Sequence, residues 1–240
     1  MDISFYTAGA GARAQQTRLD IIGNNMANAN TPGYKSQKAG FVDLLYSNVR
    51  EPETTDTQMK VGCGTRVEKT DTDFNNAGVQ MTDDPTDYAI VGKGFFAVQD
   101  PANGRIYYTR DGNFRYSQRQ DGKFYLVTEG GNLVLDKDFQ SIEVDLSGAD
   151  PELNNPGIFD FRIKDGMILE GDNLFSPVPK NGAPVLREDS TLQRGYLEMS
   201  NAEVSVEFVR MIETQRAYSM NLKMIQTSNE IEQTIEGLRG

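Results

Sequence analysis

Between Ser200 and Gly237 no proline or glycine interrupts the chain, and apolar side chains recur there at seven-residue spacing. Val204, Met211, Tyr218 and Ile225 form one row, and Phe208, Gln215 and Leu222 stand four residues after the first three. A narrow seam of this kind belongs to a helix that packs along another helix. Ser200 followed by Glu203 has the form of a capping box, in which the hydroxyl accepts from an amide of the first turn while the carboxylate reaches back, so the helix is expected to start there. Downstream the apolar set moves to Met224, Ile231, Ile235 and Leu238, the drift of a nearly straight helix under a heptad pattern. From cap to Gly237 such a helix is roughly 55 Å long at about 1.5 Å per residue. That length favours a coiled coil or extended bundle over a helix packed on its own domain.

The other end of the chain supplies a partner. Phe5, Ala12, Leu19 and Met26 repeat every seven residues, with Ala8, Gln15, Ile22 and Ala29 as a companion row. Much of that seam is alanine or glutamine, so it buries little apolar area and is expected to order only against something else. Thr31-Pro32-Gly33 ends the helix by about Asn30. The asparagines before it, Asn24, Asn25, Asn28 and Asn30, have two readings: they cap their own backbone at a fraying end, or some of them set register in a helix assembly.

Composition removes several function classes. The chain has 240 residues, 24 basic against 35 acidic, and a net charge of -11, which disfavours nucleic acid or an anionic membrane surface as partner. No apolar run reaches the length of a bilayer span, and residues 1 to 30 lack the features of a cleavable secretion signal. Without histidine and with Cys63 alone, His-based catalysis and zinc centres are not expected. Asp71, Asp73 and Asn75 imitate the start of a calcium loop, but Asn76 stands where the turn needs glycine and Thr82 where a bidentate glutamate belongs. Gly92-Lys93-Gly94 lies between two strand-like segments and reads as a turn rather than a phosphate loop. No pair of carboxylates is marked for glycoside hydrolysis. No cofactor, metal or catalytic residue is assigned.

Between residues 61 and 195 the period changes to alternation. Tyr88–Val91, Phe95–Val98, Arg105–Thr109, Lys123–Val127, Ile142–Val144 and Phe159–Ile163 read as strands, with Asp111-Gly112, Asp121-Gly122 and Asp165-Gly166 as hairpin signals. The expected fold is α+β: terminal coiled-coil helices form a stalk from residues 1–33 and 196–240, a connector of extended or hairpin-like character covers 34–60, and a mainly antiparallel β domain, 61–195, is inserted between them. Phe41 to Tyr46 is the apolar patch of the connector and Glu51 to Thr57 its polar run.

Three blocks resemble the bacterial flagellar rod and hook proteins. Asn24-Asn25-Met26-Ala27-Asn28-Ala29-Asn30-Thr31-Pro32-Gly33-Tyr34-Lys35 is similar to that family's rod signature, and Leu197–Asn201 with Met211–Tyr218 to its C-terminal motif. Gly94–Val98, Tyr108–Gly112 and Leu126–Thr128 are similar to strands of its middle domain. The resemblance implies a non-enzymatic subunit of a hollow helical polymer, with terminal helices lining an inner tube and the β domain outside. It implies export through the flagellar type III apparatus and a place in the basal body outside the cytoplasmic membrane, in the periplasm or cell-wall zone. Expected partners are further copies and other rod and hook proteins, without direct membrane insertion. The expected subunit interface comprises Phe5, Ala12, Leu19, Ile22 and Met26, the amides Asn24, Asn25 and Asn28, and the whole C-terminal seam. Within the family a rod protein of distal type fits better than a hook subunit; a secreted carbohydrate-binding β protein is the alternative from another class.

Overall fold

The computed structural model describes residues 3–48, 60–119, 121–144, 155–187 and 189–239; the polar run from Glu51 to Thr57 lies outside them. The chain forms two compact units, a helical unit from Met1–Ala27, Gln37–Asp71 and Glu203–Gly240, and a β unit from Asn28–Ser36 and Thr72–Ala202.

In the helical unit, α1 spans Ile3–Ala27 and α2 spans Val204–Arg239. Helix α1 stops just ahead of the Thr31-Pro32-Gly33 break. Helix α2 begins later than its cap motif suggests. The Ser200 hydroxyl accepts from the amide of Ala202 at 3.1 Å, and the Glu203 carboxylate accepts from the Ser205 hydroxyl at 2.6 Å. The serine thus closes a local turn and the expected capping box is not made; the first helical bond runs from the Glu207 amide to the Glu203 carbonyl at 2.9 Å. Gly237 does not end the helix, which continues to Arg239.

Two contacts set the register of the helix pair. Ser4 meets Ser228, hydroxyl to hydroxyl, at 3.5 Å, and a Cβ on Gly11 would sit 3.1 Å from the Asn221 side-chain nitrogen. Seven residues forward on α1 correspond to seven backward on α2, so the helices are antiparallel and in heptad step. After α1 come the strands β1 (Gln37–Asp43) and β2 (Tyr46–Asn48). Strand β2 pairs antiparallel with β3 (Lys60–Gly62), and β1 pairs with β4 (Thr65–Thr72).

The β unit carries β5 (Val79–Met81), β6 (Tyr88–Val91), β7 (Phe95–Gln99), β8 (Ile106–Thr109), β9 (Phe114–Gln118), β10 (Phe124–Thr128), β11 (Leu133–Val134) and β12 (Glu143–Val144). After these come β13 (Ile158–Asp160), β14 (Ile168–Gly171), β15 (Leu174–Ser176), β16 (Val185–Leu186), β17 (Thr191–Arg194) and β18 (Tyr196–Glu198). Its main sheet runs β12-β10-β11-β7-β8-β15-β14, with β9 on β10 and β13 bridging β7 to β16. Strand β7 is its centre, since Phe95, Phe96, Ala97 and Val98 have no exposed surface. Alternation sends Phe96 and Val98 into one cluster with Tyr88, Phe114 and Leu126, and Phe95 and Ala97 into another with Tyr108, Phe161 and Phe175. A strand buried on both faces loses the polar alternation of a surface strand.

The hairpin signals fare unevenly. Asp121-Gly122 joins the antiparallel pair β9 and β10, with Gly122 at φ 79°. Asp111-Gly112 joins β8 to β9, which are not paired with each other; Gly112 serves close approach, because a Cβ there would lie 1.6 Å from the Tyr88 carbonyl oxygen. Asp165-Gly166 likewise precedes β14 without pairing it to β13. The tight hairpin between β14 and β15 instead turns on Asp172 and Asn173, both at positive φ (47° and 56°), the combination that a type I′ turn requires.

Candidate functional site

Helix α2 presents three faces. The inner face carries Glu207, Met211, Thr214, Tyr218, Asn221, Ile225 and Ser228, all buried or half-buried. Three of the seven predicted seam residues lie there: Met211, Tyr218 and Ile225 point inward. Their companions do not, since Phe208 is 50% and Leu222 39% exposed, with Val204 and Gln215 also exposed. The inner companion row is Thr214, Asn221 and Ser228, three residues on rather than four. At about 100° per residue, the Val204–Phe208–Gln215–Leu222 row lies roughly 90° to one side of the inner face. The Met220–Met224–Ile231–Ile235–Leu238 stripe lies about as far to the other side. Both flanks are exposed. A lone helix pair would leave this much apolar surface in water, whereas an assembly of helices covers it.

On α1, Ala8, Ala12, Ala14, Ile21, Ile22 and Asn25 are buried, and Phe5, Leu19 and Met26 half-buried. Asn25 makes a contact that neither asparagine reading describes: its side chain donates to the Gln37 carbonyl at 2.8 Å and accepts from the Gln37 amide at 2.9 Å, pairing with the first residue of β1 as a neighbouring strand would. Asn28 holds the turn, where its side-chain oxygen accepts from the Thr31 hydroxyl at 3.3 Å. Asn24 is exposed.

The β unit contains a buried ion network absent from the sequence-based expectations. Lys35, Arg110 and Glu198 are each 1% exposed. The Lys35 ammonium donates to Glu198 Oε1 at 2.7 Å, and Arg110 Nη1 donates to Glu198 Oε2 at 3.0 Å. Further bonds surround the three: Lys35 also donates to the Asn75 carbonyl, Arg110 to the Gly92 carbonyl and the Asn76 side-chain oxygen, and Glu198 Oε1 accepts from the Ala77 amide, while Arg110 Nε has no partner among the described residues. Burial holds the Lys35 pKa below its ordinary value, opposed by the Glu198 charge. Asn201 completes the junction by accepting from the Ser36 amide and donating to the Asp73 carbonyl, each at 2.6 Å. One carboxylate thus ties together the segment after α1, the β8–β9 connection and the strand before α2.

A separate cavity of about 410 Å³ in the β unit is lined by Asp111, Glu129, Asp172, Asn132 and Thr128, among others. Burial there raises the Asp111 pKa to about 6, with Glu129 and Asp87 adding to the shift. An acid whose folded pKa is raised binds more protons folded than unfolded across that window. Its contribution to stability is therefore full below about pH 4 and lost as pH rises through about 6. Asp111→Asn can keep the bond that Asp111 accepts from the Asn113 amide. The variant is expected to gain on wild type between pH 4 and pH 7, by at most about 3 kcal/mol, in urea unfolding compared across pH. A constant difference would place the titration elsewhere.

Among the described residues no group of three or more His, Cys, Asp or Glu side chains is arranged to hold a metal. Residues 5–35 match the family model described as flagella basal body rod protein. Residues 89–159 match the flagellar hook protein FlgE/F/G D1 domain, and residues 193–238 the flagellar basal body rod FlgEFG protein C-terminal region. The flagellar basal-body rod protein FlgG of Buchnera aphidicola (subspecies Acyrthosiphon pisum) is 33% identical, over 98% of this chain and 99% of its own length. The chain belongs to the flagellar basal-body rod family. FlgG of Borreliella burgdorferi is 33% identical over 95% of both chains, and FlgG of Bacillus subtilis 31% over 98% of both. As a member of the rod family the protein is a structural component of the flagellar basal body, outside the cytoplasmic membrane, and associates with other axial components. Each matched region supplies one member of the buried network: Lys35 closes the first, Arg110 lies in the second and Glu198 in the third.

Proposed function

We infer that this protein is a rod subunit of distal type that polymerises through its terminal helices into a hollow axial tube. Such a tube transmits torque and passes exported subunits. The observation that carries the reading is the exposed apolar surface on both flanks of α2, surface that further helices of neighbouring subunits cover in a polymer. The inner-tube part corresponds to residues 1–33 and 196–240, with 34–60 as connector and 61–195 as the outward β domain. Phe5, Leu19, Asn24, Met26, Val204, Phe208, Gln215 and Leu222 face neighbours. Ala12, Ile22, Asn25, Met211, Tyr218 and Ile225 support the helix pair that presents them, and Asn28 the turn that leaves it. The chain has no enzymatic role and reaches its site through the flagellar export apparatus. The FlgG names of the relatives and the match along the whole chain favour this over a hook subunit or a carbohydrate-binding protein.

Hydrogen exchange followed peptide by peptide tests it. In dilute monomer, amides of the β-unit strands β5 to β18 are expected to exchange slowly and those of α1 and α2 fast; on assembly the helices become protected. Equal protection of the helices in monomer and at high concentration, with no sedimenting polymer, would overturn the reading.

A further inference from the structure

Glu207, in the first turn of α2, is 3% exposed. One of its carboxylate oxygens accepts from Arg210 Nη1 at 2.7 Å; the other is buried and has no hydrogen-bond partner among the described residues. A buried acceptor left without a donor is costly, and more so on a charged group. The same carboxylate lines a groove of about 280 Å³ where α1, β1 and the start of α2 meet, together with Arg18, Ile21, Ile22 and Phe41. Arg18 lies over the Phe41 ring, 5.9 Å from its centroid. Arg210 already answers the Glu207 charge, so what the second oxygen lacks is a hydrogen-bond donor rather than another cation. The terminal torsion of a glutamate is broad, which lets that oxygen turn toward the groove while the bond to Arg210 is kept.

The complementary need lies farther along α2. In the exposed row Val204, Phe208, Gln215 and Leu222, only Gln215 carries a side-chain donor. The stripe on the other flank, Met220, Met224, Ile231, Ile235 and Leu238, has none. Phe208 and Leu222 stand seven residues before and after Gln215, about two helical turns each way. A surface that covers the two apolar side chains therefore covers the amide between them. Covered without partners, that amide forfeits its hydrogen bonds to water. It has protons to donate and an oxygen that must accept.

We propose that the groove of one copy receives the Phe208–Gln215–Leu222 row of a second copy, with the Gln215 amide donating to the free Glu207 oxygen. The Gln215 methylenes lie against Ile21, Ile22 and Phe41, and its oxygen accepts from Arg18, while Phe208 and Leu222 cover apolar surface to either side. A polar pair at one position of an apolar seam fixes register; here it sets the offset between successive subunits. Because the two surfaces differ, the contact is heterologous and repeats without closing, as a linear polymer requires. The proposal rests on the polymer reading and specifies one of its contacts.

The sign of one substitution tests it in full-length protein. Gln215→Leu makes the flank more apolar, so a purely hydrophobic contact would assemble as well as wild type or better. The proposed bond predicts the reverse, a rise of at least about tenfold in the concentration needed for sedimenting assembly, because the Glu207 oxygen stays unserved inside the interface. Gln215→Leu combined with Glu207→Met should return that concentration to within about threefold of wild type, since removing both partners of a buried bond is nearly neutral. A second arm leaves Glu207 and Gln215 in place. In a Cys63→Ser background, a mixture of Ala39→Cys, in the groove, and Ser219→Cys, one turn beyond Gln215, should form disulfide-linked dimers on mild oxidation, and neither variant alone should. If wild type sediments while Gln215→Leu assembles as well as it does, or the cysteine mixture forms no linked dimers, this contact is wrong and the polymer reading stands. If wild type does not sediment and no linked dimers form, both fall.

Discussion

Glu198→Gln is expected to destabilise the β unit by about 3–5 kcal/mol, the usual cost of removing one partner from a buried ion pair. Lys35 and Arg110 both reach this carboxylate, at 2.7 and 3.0 Å, and none of the three side chains touches water appreciably. A neutral amide leaves two cations buried with no counter-charge, only neutral carbonyl oxygens of the backbone, of Asn76 and of the amide itself. Urea unfolding followed by circular dichroism reads the loss as a shift of midpoint at unchanged slope. Lys35 also predicts how the deficit changes with pH. Burial already depresses its pKa, and without Glu198 its folded form gives up the proton more readily still. Below the unfolded lysine pKa the unfolded variant then binds more protons than the folded one. The variant's stability therefore rises with pH, and its gap to wild type narrows as pH approaches 10. Replacing all three residues by methionine should recover most of the loss, since apolar side chains of similar volume dispense with the desolvation of the charges. A Glu198→Gln penalty under about 1 kcal/mol would mean that the surrounding carbonyls suffice.

How much of this was legible depended on whether chemistry and position agreed. Tyr88–Val91 and Phe95–Val98 read as strands because their side chains are β-formers that end in a core. The long terminal helices read from their apolar period. The inner face of α2 did not, because its second row is Thr214, Asn221 and Ser228. Small polar residues let α1 approach, as at Gly11 beside Asn221, and a pattern built on apolar residues assigns such positions to solvent. The same pattern groups Phe208 and Leu222 with Met211 and Tyr218 as one seam, although they face elsewhere. Lys35, Arg110 and Glu198 escaped for a related reason. A charged residue is solvated unless its counter-charge is known, and these partners lie 163 and 88 residues apart in sequence. Their signal was present only as membership of the three blocks that resembled the family. Ser200 and Glu203 had cap spacing, but three residues of turn intervene before α2, and spacing alone does not show where a helix starts.

The division of α2 into inner and outer rows makes the second large effect separable from folding. Leu222→Glu and Phe208→Glu are expected to abolish assembly while changing monomer stability by less than about 0.5 kcal/mol, as substitutions at exposed positions usually do. In a polymer each of these side chains would be worth about 1.5–3 kcal/mol when covered, and a carboxylate forced into the same place adds the cost of burying an unpaired charge. A loss of about 2.7 kcal/mol per contact already raises a dissociation constant a hundredfold, so each variant should remain monomeric at concentrations where wild type sediments. Met211→Glu and Ile225→Glu provide the contrast. These residues face α1 in the same chain, so the carboxylate is expected to disturb the helix pair itself, seen as lost helical circular dichroism before assembly is reached. If Leu222→Glu lost helix content as Ile225→Glu does, the 204–208–215–222 row would belong to the monomer's own packing. If it sedimented like wild type, that flank would face solvent in the polymer and the neighbouring helices would lie along the Met220–Leu238 stripe alone.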